Sequence, residues 1–331
     1  MSIYCHKVLI LWFCGLLLLL GVVAALAQEP TTNAPADDKL SVAQVTAQRP
    51  GGPVAGSAGR PPGNGVAVRT GYRWDMPVDF TDKGDISAQH VGAGVTTLLP
   101  VNKNILGSLD LDVDYVSYSF SVDNDSLFAA SGLMRHAADV RISPMLMGRV
   151  SERWGWMARA TGAFTGETDA DAGKSFSPGG MAGMVYNCGP KLKLTFGVVA
   201  SALLADELLV FPIVGFDWAL TERLRLATRG PGLDVIMKLA PETTLTLKGR
   251  WDYRRYRLAD TAPVPDGVFR DQRVDISLEL SRRFRRVMEL TLAAGTSVYQ
   301  QYKLENSDED TVARIDTDPQ AFLGVRMALS L

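Results

Sequence analysis

The stretch TTLTLKGRWDYRRYR, Thr243 to Arg257, decides the fold. Leu245, Leu247, Gly249, Trp251 and Tyr253 fall on one side of an extended chain, and Thr244, Thr246, Lys248, Arg250, Asp252 and Arg254 fall on the other. A period of two is that of a strand with one apolar and one wet face; a helix would repeat every 3.6 residues. The pattern returns in Arg273 to Ser281, where Val274, Ile276, Leu278 and Leu280 alternate with Arg273, Asp275, Ser277, Glu279 and Ser281. It returns again where Leu109, Leu111, Val113 and Tyr115 alternate with Asp110, Asp112 and Asp114, and where Lys191, Lys193 and Thr195 alternate with Leu192, Leu194, Phe196 and Val198.

Soluble antiparallel sandwiches also alternate. Against that reading, the polar faces carry charges in mid-strand, which a dry core does not tolerate unpaired. Aromatic residues gather near strand ends on the apolar face, at Tyr72, Trp74, Trp154, Trp156 and Trp218, where a membrane interface would hold them. Tight connections beginning at Pro100, Ser151, Asn187, Thr221 and Pro241 alternate with mostly longer ones. The longer set runs from Asp75 to Asp85, Val122 to Ser131, Gly166 to Pro178, Ala259 to Gln272 and Asn306 to Pro319, with short exceptions near Ala205 and Gly230. Short periplasmic turns opposite long outward loops belong to membrane barrels. The expectation is an all-β chain forming an antiparallel transmembrane β-barrel of about 12–14 strands. The count turns on a weak pair between Leu224 and Leu239. The final strand, with Leu323, Val325, Met327, Leu329 and Leu331 on one face, resembles the C-terminal assembly signal of outer-membrane proteins, although such signals usually end in an aromatic residue.

The segments before the barrel give its destination. Lys7 is followed by an apolar run from Val8 to Leu26 that ends Ala25-Leu26-Ala27, the layout of a secretory signal peptide over residues 1–27. The rival is an uncleaved anchor, since the run approaches the ~20 residues that span a bilayer. Cys14 follows Trp12-Phe13 and so lacks the small residue that a lipid-attachment site needs before it. Residues 28–65, rich in Pro, Gly and Ala, read as a flexible linker, and residues 66–331 as the barrel. Without its leader the chain has 33 basic and 36 acidic residues, a net charge of −3, which gives no case for nucleic acid. Cys188 is then the one remaining cysteine, and its apolar neighbours suggest an inert buried thiol.

The second half resembles a family of predicted bacterial outer-membrane β-barrels of unknown function. The resemblance rests on FPIVGFDWALTERLRL (Phe211 to Leu226), LTLKGRWDYRRYRL (Leu245 to Leu258), FRDQRVDISLELSRRF (Phe269 to Phe284) and LAAGTSVYQQYKL (Leu292 to Leu304). It implies a barrel in the outer membrane of a Gram-negative-type bacterium, and no substrate.

Catalytic chemistry finds little support. After the leader the histidines are His90, near a strand start, and His136, beside an outward rim; neither stands in a His-x-Ser-Asn-Gly pattern, and neither has ligand spacing with Cys188. No cofactor or metal is expected. The acidic loops SVDNDS (from Ser121), ETDADAG (from Glu167) and ENSDED (from Glu305) lack the spacing of a calcium loop and read as solvated surface. The informative charges are the inward candidates: Asp110, Asp112, Asp114, Arg141, Lys193, Lys248, Arg250, Asp252, Arg254, Asp275 and Glu279, together with Arg69 and Arg73. They either line a water-filled pore and select solutes, or pair across the lumen and fill it. The reading that follows is a passive channel or small-solute transporter, with membrane lipid and the barrel-assembly machinery as partners. A structural or adhesive barrel acting through its acidic loops is the alternative, and an outer-membrane hydrolase is a third.

Overall fold

A computed structural model describes residues 65–79, 84–122, 134–202, 204, 208–285, 287–307 and 310–331. The signal and linker segments, and much of the loop after Val122, lie outside the described residues.

The described chain is strand and turn. In order the strands are β1 (Val66–Asp79), β2 (Gly84–Asn102), β3 (Ile105–Val122), β4 (His136–Arg149), β5 (Trp154–Glu167), β6 (Phe176–Asn187), β7 (Leu192–Ala202) and β8 (Leu208–Ala219). They continue as β9 (Leu224–Thr228), β10 (Gly232–Ala240), β11 (Thr243–Arg257), β12 (Val268–Phe284), β13 (Met288–Glu305), β14 (Thr311–Thr317) and β15 (Gln320–Ser330). Each pairs antiparallel with its predecessor as far as β13, and β1 pairs with β15 to close the ring. β14 and β15 lie end to end along β13, one on Gln300 to Glu305 and the other on Met288 to Ser297. Asp318 and Pro319 separate them, and proline has no N–H to give a ladder. The fifteen segments therefore make a closed barrel of fourteen staves. The weak pair, β9 and β10, is present, and β9 is a stave of only 5 residues.

Closure through β1 and β15 pairs neighbouring staves edge to edge around the ring, as a membrane interior requires. The outward positions are apolar and exposed, among them Val91, Leu109, Leu111, Val113, Ile142, Leu146, Leu278, Leu280 and Leu323. A soluble sandwich would turn these side chains inward. Leu323 and Val325 of the last strand are exposed on this outer face, Met327 and Leu329 are partly covered, and Leu331 follows the strand end with its N–H donating to the Val66 carbonyl at 2.8 Å.

One rim carries connections of two to four residues, and the other carries the long ones together with short links after β1 and β9. Several expected loop boundaries move. β1 continues to Asp79, β12 already begins at Val268, and β14 lies within the stretch read as a loop after Asn306. In each case polar residues suggested a loop, but they are inward or paired strand residues above the lipid band, where alternation no longer separates apolar from polar. Cys188 is also corrected: it is exposed, because the strand that buries Val185 ends at Asn187 and the cysteine is the first residue of the turn.

The wall is uneven. β11 runs seven residues beyond Arg250, which pairs with Gly232 at the start of β10, and Arg257 then pairs with Gly166 of β5. β5 and β11 stand almost opposite one another in the ring, so this clasp bridges the long-loop mouth above the shorter staves β6 to β10.

Candidate functional site

The interior is built from the inward positions of the strands. On the β12-to-β4 side of the clasp, near the long-loop rim, an apolar core fills the barrel. Tyr118, Tyr256, Phe269 and Tyr302 pack there with Ile86, Val116, Leu258 and Leu304. The Tyr118 ring stands 5.4 Å from Phe269 and 6.1 Å from Tyr302, so β3 touches β12 and β13 through the lumen.

Beside this core runs a belt of buried ions. Asp75 accepts from Arg73 Nε at 2.5 Å and from Arg273 Nη1 at 2.9 Å, and its Oδ2 lies 3.0 Å from His90 Nε2. Arg73 also donates to Asp275, whose other oxygen accepts from Ser297 at 2.6 Å. Arg254 bonds Asp252 at 3.1 Å and Asp114 at 3.5 Å, and its Nη1 lies 3.2 Å from His90 Nδ1. A guanidinium can only donate, so Nδ1 is the acceptor of that contact and Nε2 carries the hydrogen given to Asp75. Asp271 accepts from Tyr118 Oη at 2.9 Å and from Gln300 at 3.4 Å. These bonds cross from β1, β2 and β3 to β11 and β12. They satisfy charges that would otherwise be prohibitively placed.

Nearer the short-turn rim the pairs run along the wall. Asp112 accepts from Arg69 at 3.0 Å, and Asp110 accepts from Arg159 at 3.1 Å and from Thr96 Oγ1 at 2.6 Å. Gly94 makes room for the first pair, since a Cβ there would sit 2.2 Å from Asp112 Oδ1. Glu279 bonds Lys248 at 2.6 Å and also Arg326. Arg250 approaches Asp234 at 3.4 Å, and Arg141 donates to Asp139 at 2.5 Å. Asp217 holds Arg225 through two bonds, and the register places Lys193 beside it.

The candidate charges therefore fall into two groups. Asp112, Lys248, Asp252, Arg254, Asp275 and Glu279 are buried. Asp110, Asp114, Arg141, Lys193 and Arg250 are partly exposed, as are Asp217 and Arg225. Sequence reasoning passed over Asp75, Tyr118, Asp271 and Gln300, and weighed His90 only for catalysis or metal binding. Asp75 flanks an irregularity in strand register and Gln300 lies just beyond another, between Ser297 and Tyr299, where the alternating face is hard to assign. A signal for Asp75 existed, because it stands two residues after Arg73 on the same face. His90 lies in the middle of β2, not at a strand start, and is fully buried. Its bonds go to a carboxylate and a guanidinium, not to a serine. His136 opens β4 and stacks on Tyr115 at 5.8 Å. Of the acidic loops, Glu167 to Gly173 is described, and its Asp171 caps the turn by accepting from the Lys174 N–H at 3.0 Å. Parts of the other two lie outside the described residues.

A closed antiparallel barrel with an apolar exterior, short turns on one rim and long loops on the other is an outer-membrane β-barrel. The chain belongs to the family described as a domain of unknown function, DUF6268, which matches residues 82–330. No curated protein matches it. Similar solved structures include an outer membrane channel from Pseudomonas putida F1, at 11% identity and a TM-score of 0.46, over 88% of this chain and 100% of that one. The toluene transporter TodX of P. putida overlays with a TM-score of 0.44 at 10% identity, over 82% of this chain and 91% of that one. A Pseudomonas aeruginosa FadL homologue gives 0.42 at 12%, over 81% and 89%. These overlays are loose.

Proposed function

We propose that this barrel is a passive outer-membrane channel for small solutes, with the permeation path confined to the β4-to-β10 side of the lumen. The observation that carries this reading is the division of the interior. The aromatic core and the most deeply buried ions lie on the β1–β3 and β11–β13 side. On the other side Met145, Met147, Met157 and Val185 form a smaller buried cluster, and Arg141, Lys193, Asp217 and Arg225 keep partly exposed side chains. Charges sealed among partners hold the wall in place, and charges that still meet water act on a passing solute. In this reading residues 1–27 are the export signal, residues 28–65 a periplasmic lead, and the last strand the handle for the barrel-assembly machinery.

Planar-bilayer recording of the mature protein tests the reading with two opposite substitutions. Arg225→Ala leaves Asp217 in excess and moves ion selectivity toward cations, while Asp217→Asn moves it toward anions. Inserted, folded protein that carries no current would sink the proposal.

A further inference from the structure

Along the inside of β6, β7 and β8 the lining changes character. β6 contains no charged residue, and β7 and β8 contain one each, Lys193 and Asp217, paired in register near the short-turn rim. Farther from that rim the inward side chains fall into rows. Met181, Val199 and Phe211 stand side by side across the three strands. In the next row toward the short turns, Gly183 and Gly197 lie between Met157 and Ile213. Neither glycine accepts a side chain, because a Cβ would sit 2.7 Å from the Phe196 carbonyl oxygen or 2.6 Å from that of Ala182. That row is therefore shallow at its centre, between Ile213 and the buried Met157. Leu209 and Phe211, inward by register with Asp217, remain 38% and 37% exposed inside a closed wall.

A lumen that passes ions and sugars is lined by polar groups, and apolar surface held against water is unfavourable in proportion to its area. The exposed Leu209 and Phe211 and the partly exposed Val199 lie on the side of the lumen away from the ion belt, and Met181 beside them packs against the buried cluster of Met145, Met147, Met157 and Val185. Wall closure keeps lipid chains out of this space, so the matching occupant arrives along the channel. Methionine adds a flexible, polarizable lining that suits apolar ligands of varied shape.

We propose that the inner face of β6–β8 is a binding track for small, uncharged apolar or aromatic solutes, with Met181, Val199 and Phe211 as its central contacts. The proposal rests on the channel reading and names its cargo class. Solutes of this kind shed water against the track, while the charged residues opposite give them no competing partner.

The test adds benzyl alcohol or glycerol during single-channel recording of the mature protein. Benzyl alcohol is expected to interrupt the current and glycerol is not. In Val199→Gln and Phe211→Gln the interruptions should shorten about tenfold, equivalent to a loss of ~1.4 kcal/mol in binding, while Thr244→Ser on another part of the wall keeps the wild-type pattern. Each variant's own unblocked current shows that it has folded. Current without any benzyl alcohol block, or block that persists unchanged in both glutamine variants, overturns the apolar track but leaves the channel reading intact. Absence of current from inserted protein defeats both.

Discussion

Arg273 of β12 and Asp75 of β1, 198 positions apart in the chain, form a hydrogen bond of 2.9 Å with both side chains almost wholly removed from solvent. The bond joins an early strand to a late one through the barrel interior. Arg73 and His90 converge on the same carboxylate. Replacing it uncovers positive charge with no water to receive it. Asp75→Ala is expected to destabilise the barrel by about 3–5 kcal/mol. The Asp75→Leu, Arg273→Met pair should cost less than its two single changes added together, because contacting partners are not independent. Urea-unfolding midpoints of protein refolded in lipid bilayers check both. Additive losses would mean that the two residues do not act as a pair.

The clasp between β5 and β11 supplies a second prediction. Gly166 faces Arg257 at the crossing, and a Cβ there would lie 3.0 Å from the Arg257 carbonyl oxygen and 2.9 Å from Ser175 Oγ. Arg257 also donates to the Lys174 and Asp266 carbonyls, at 3.2 and 2.7 Å, and the Ala259 N–H donates to Glu167 at 2.6 Å. A branched side chain at 166 pushes the β11–β12 tip off the mouth. Gly166→Val should therefore raise single-channel conductance without altering the ion selectivity set deeper in the lumen. An unchanged conductance would show that the clasp does not limit flow.

The same tip should respond to acid in a particular way. Lys174 bonds Asp266 at 2.6 Å on the exposed loops. That hydrogen bond holds the Asp266 carboxyl below the ordinary aspartate range and raises Lys174 above the ordinary lysine range. Hydrogen bonding to Asp266 raises Asp260, so of these two carboxyls Asp260 is the first to take up a proton in acid. The contribution of Asp266 is lost only as pH falls through its depressed value, and that of Lys174 only as pH rises through its raised one. Open probability should stay flat from about pH 5 to 9 and change in stronger acid. A transition within that plateau that survives Lys174→Ala would have to arise elsewhere.

How much of this was legible beforehand follows from which forces leave a local trace. Alternation in Leu109 to Tyr115 or Thr243 to Tyr253 is imposed by lipid on one side and a wet or ionic interior on the other, so it is written directly into adjacent residues. The strand count and the alternating turns follow from the same pattern. The clasp is not periodic: it depends on β11 outlasting β10, and nothing near Arg257 names Gly166 as its partner. The ion belt was visible as a set of inward charges, yet the bond between Arg73 and Asp275 follows from barrel curvature and side-chain reach, which periodicity does not encode. Cys188 was misread because the residues before it are apolar, and a turn begins one residue too soon for them to matter.

That exposed cysteine gives the barrel's orientation its own test. Cys188 sits in the turn between β6 and β7, on the rim of short connections, and Lys174 lies on the opposite rim with its side chain 50% exposed. Short connections face the periplasm in barrels of this build. A membrane-impermeant maleimide added to intact cells should leave Cys188 unmodified and should label it once the outer membrane is permeabilised. In a Cys188→Ser, Lys174→Cys variant the order reverses, with labelling in intact cells. The variant matters because silence at Cys188 alone could reflect a poorly reactive thiol, whereas opposite outcomes at the two rims cannot. Labelling of Cys188 in intact cells would invert the barrel and place the clasp on the periplasmic side.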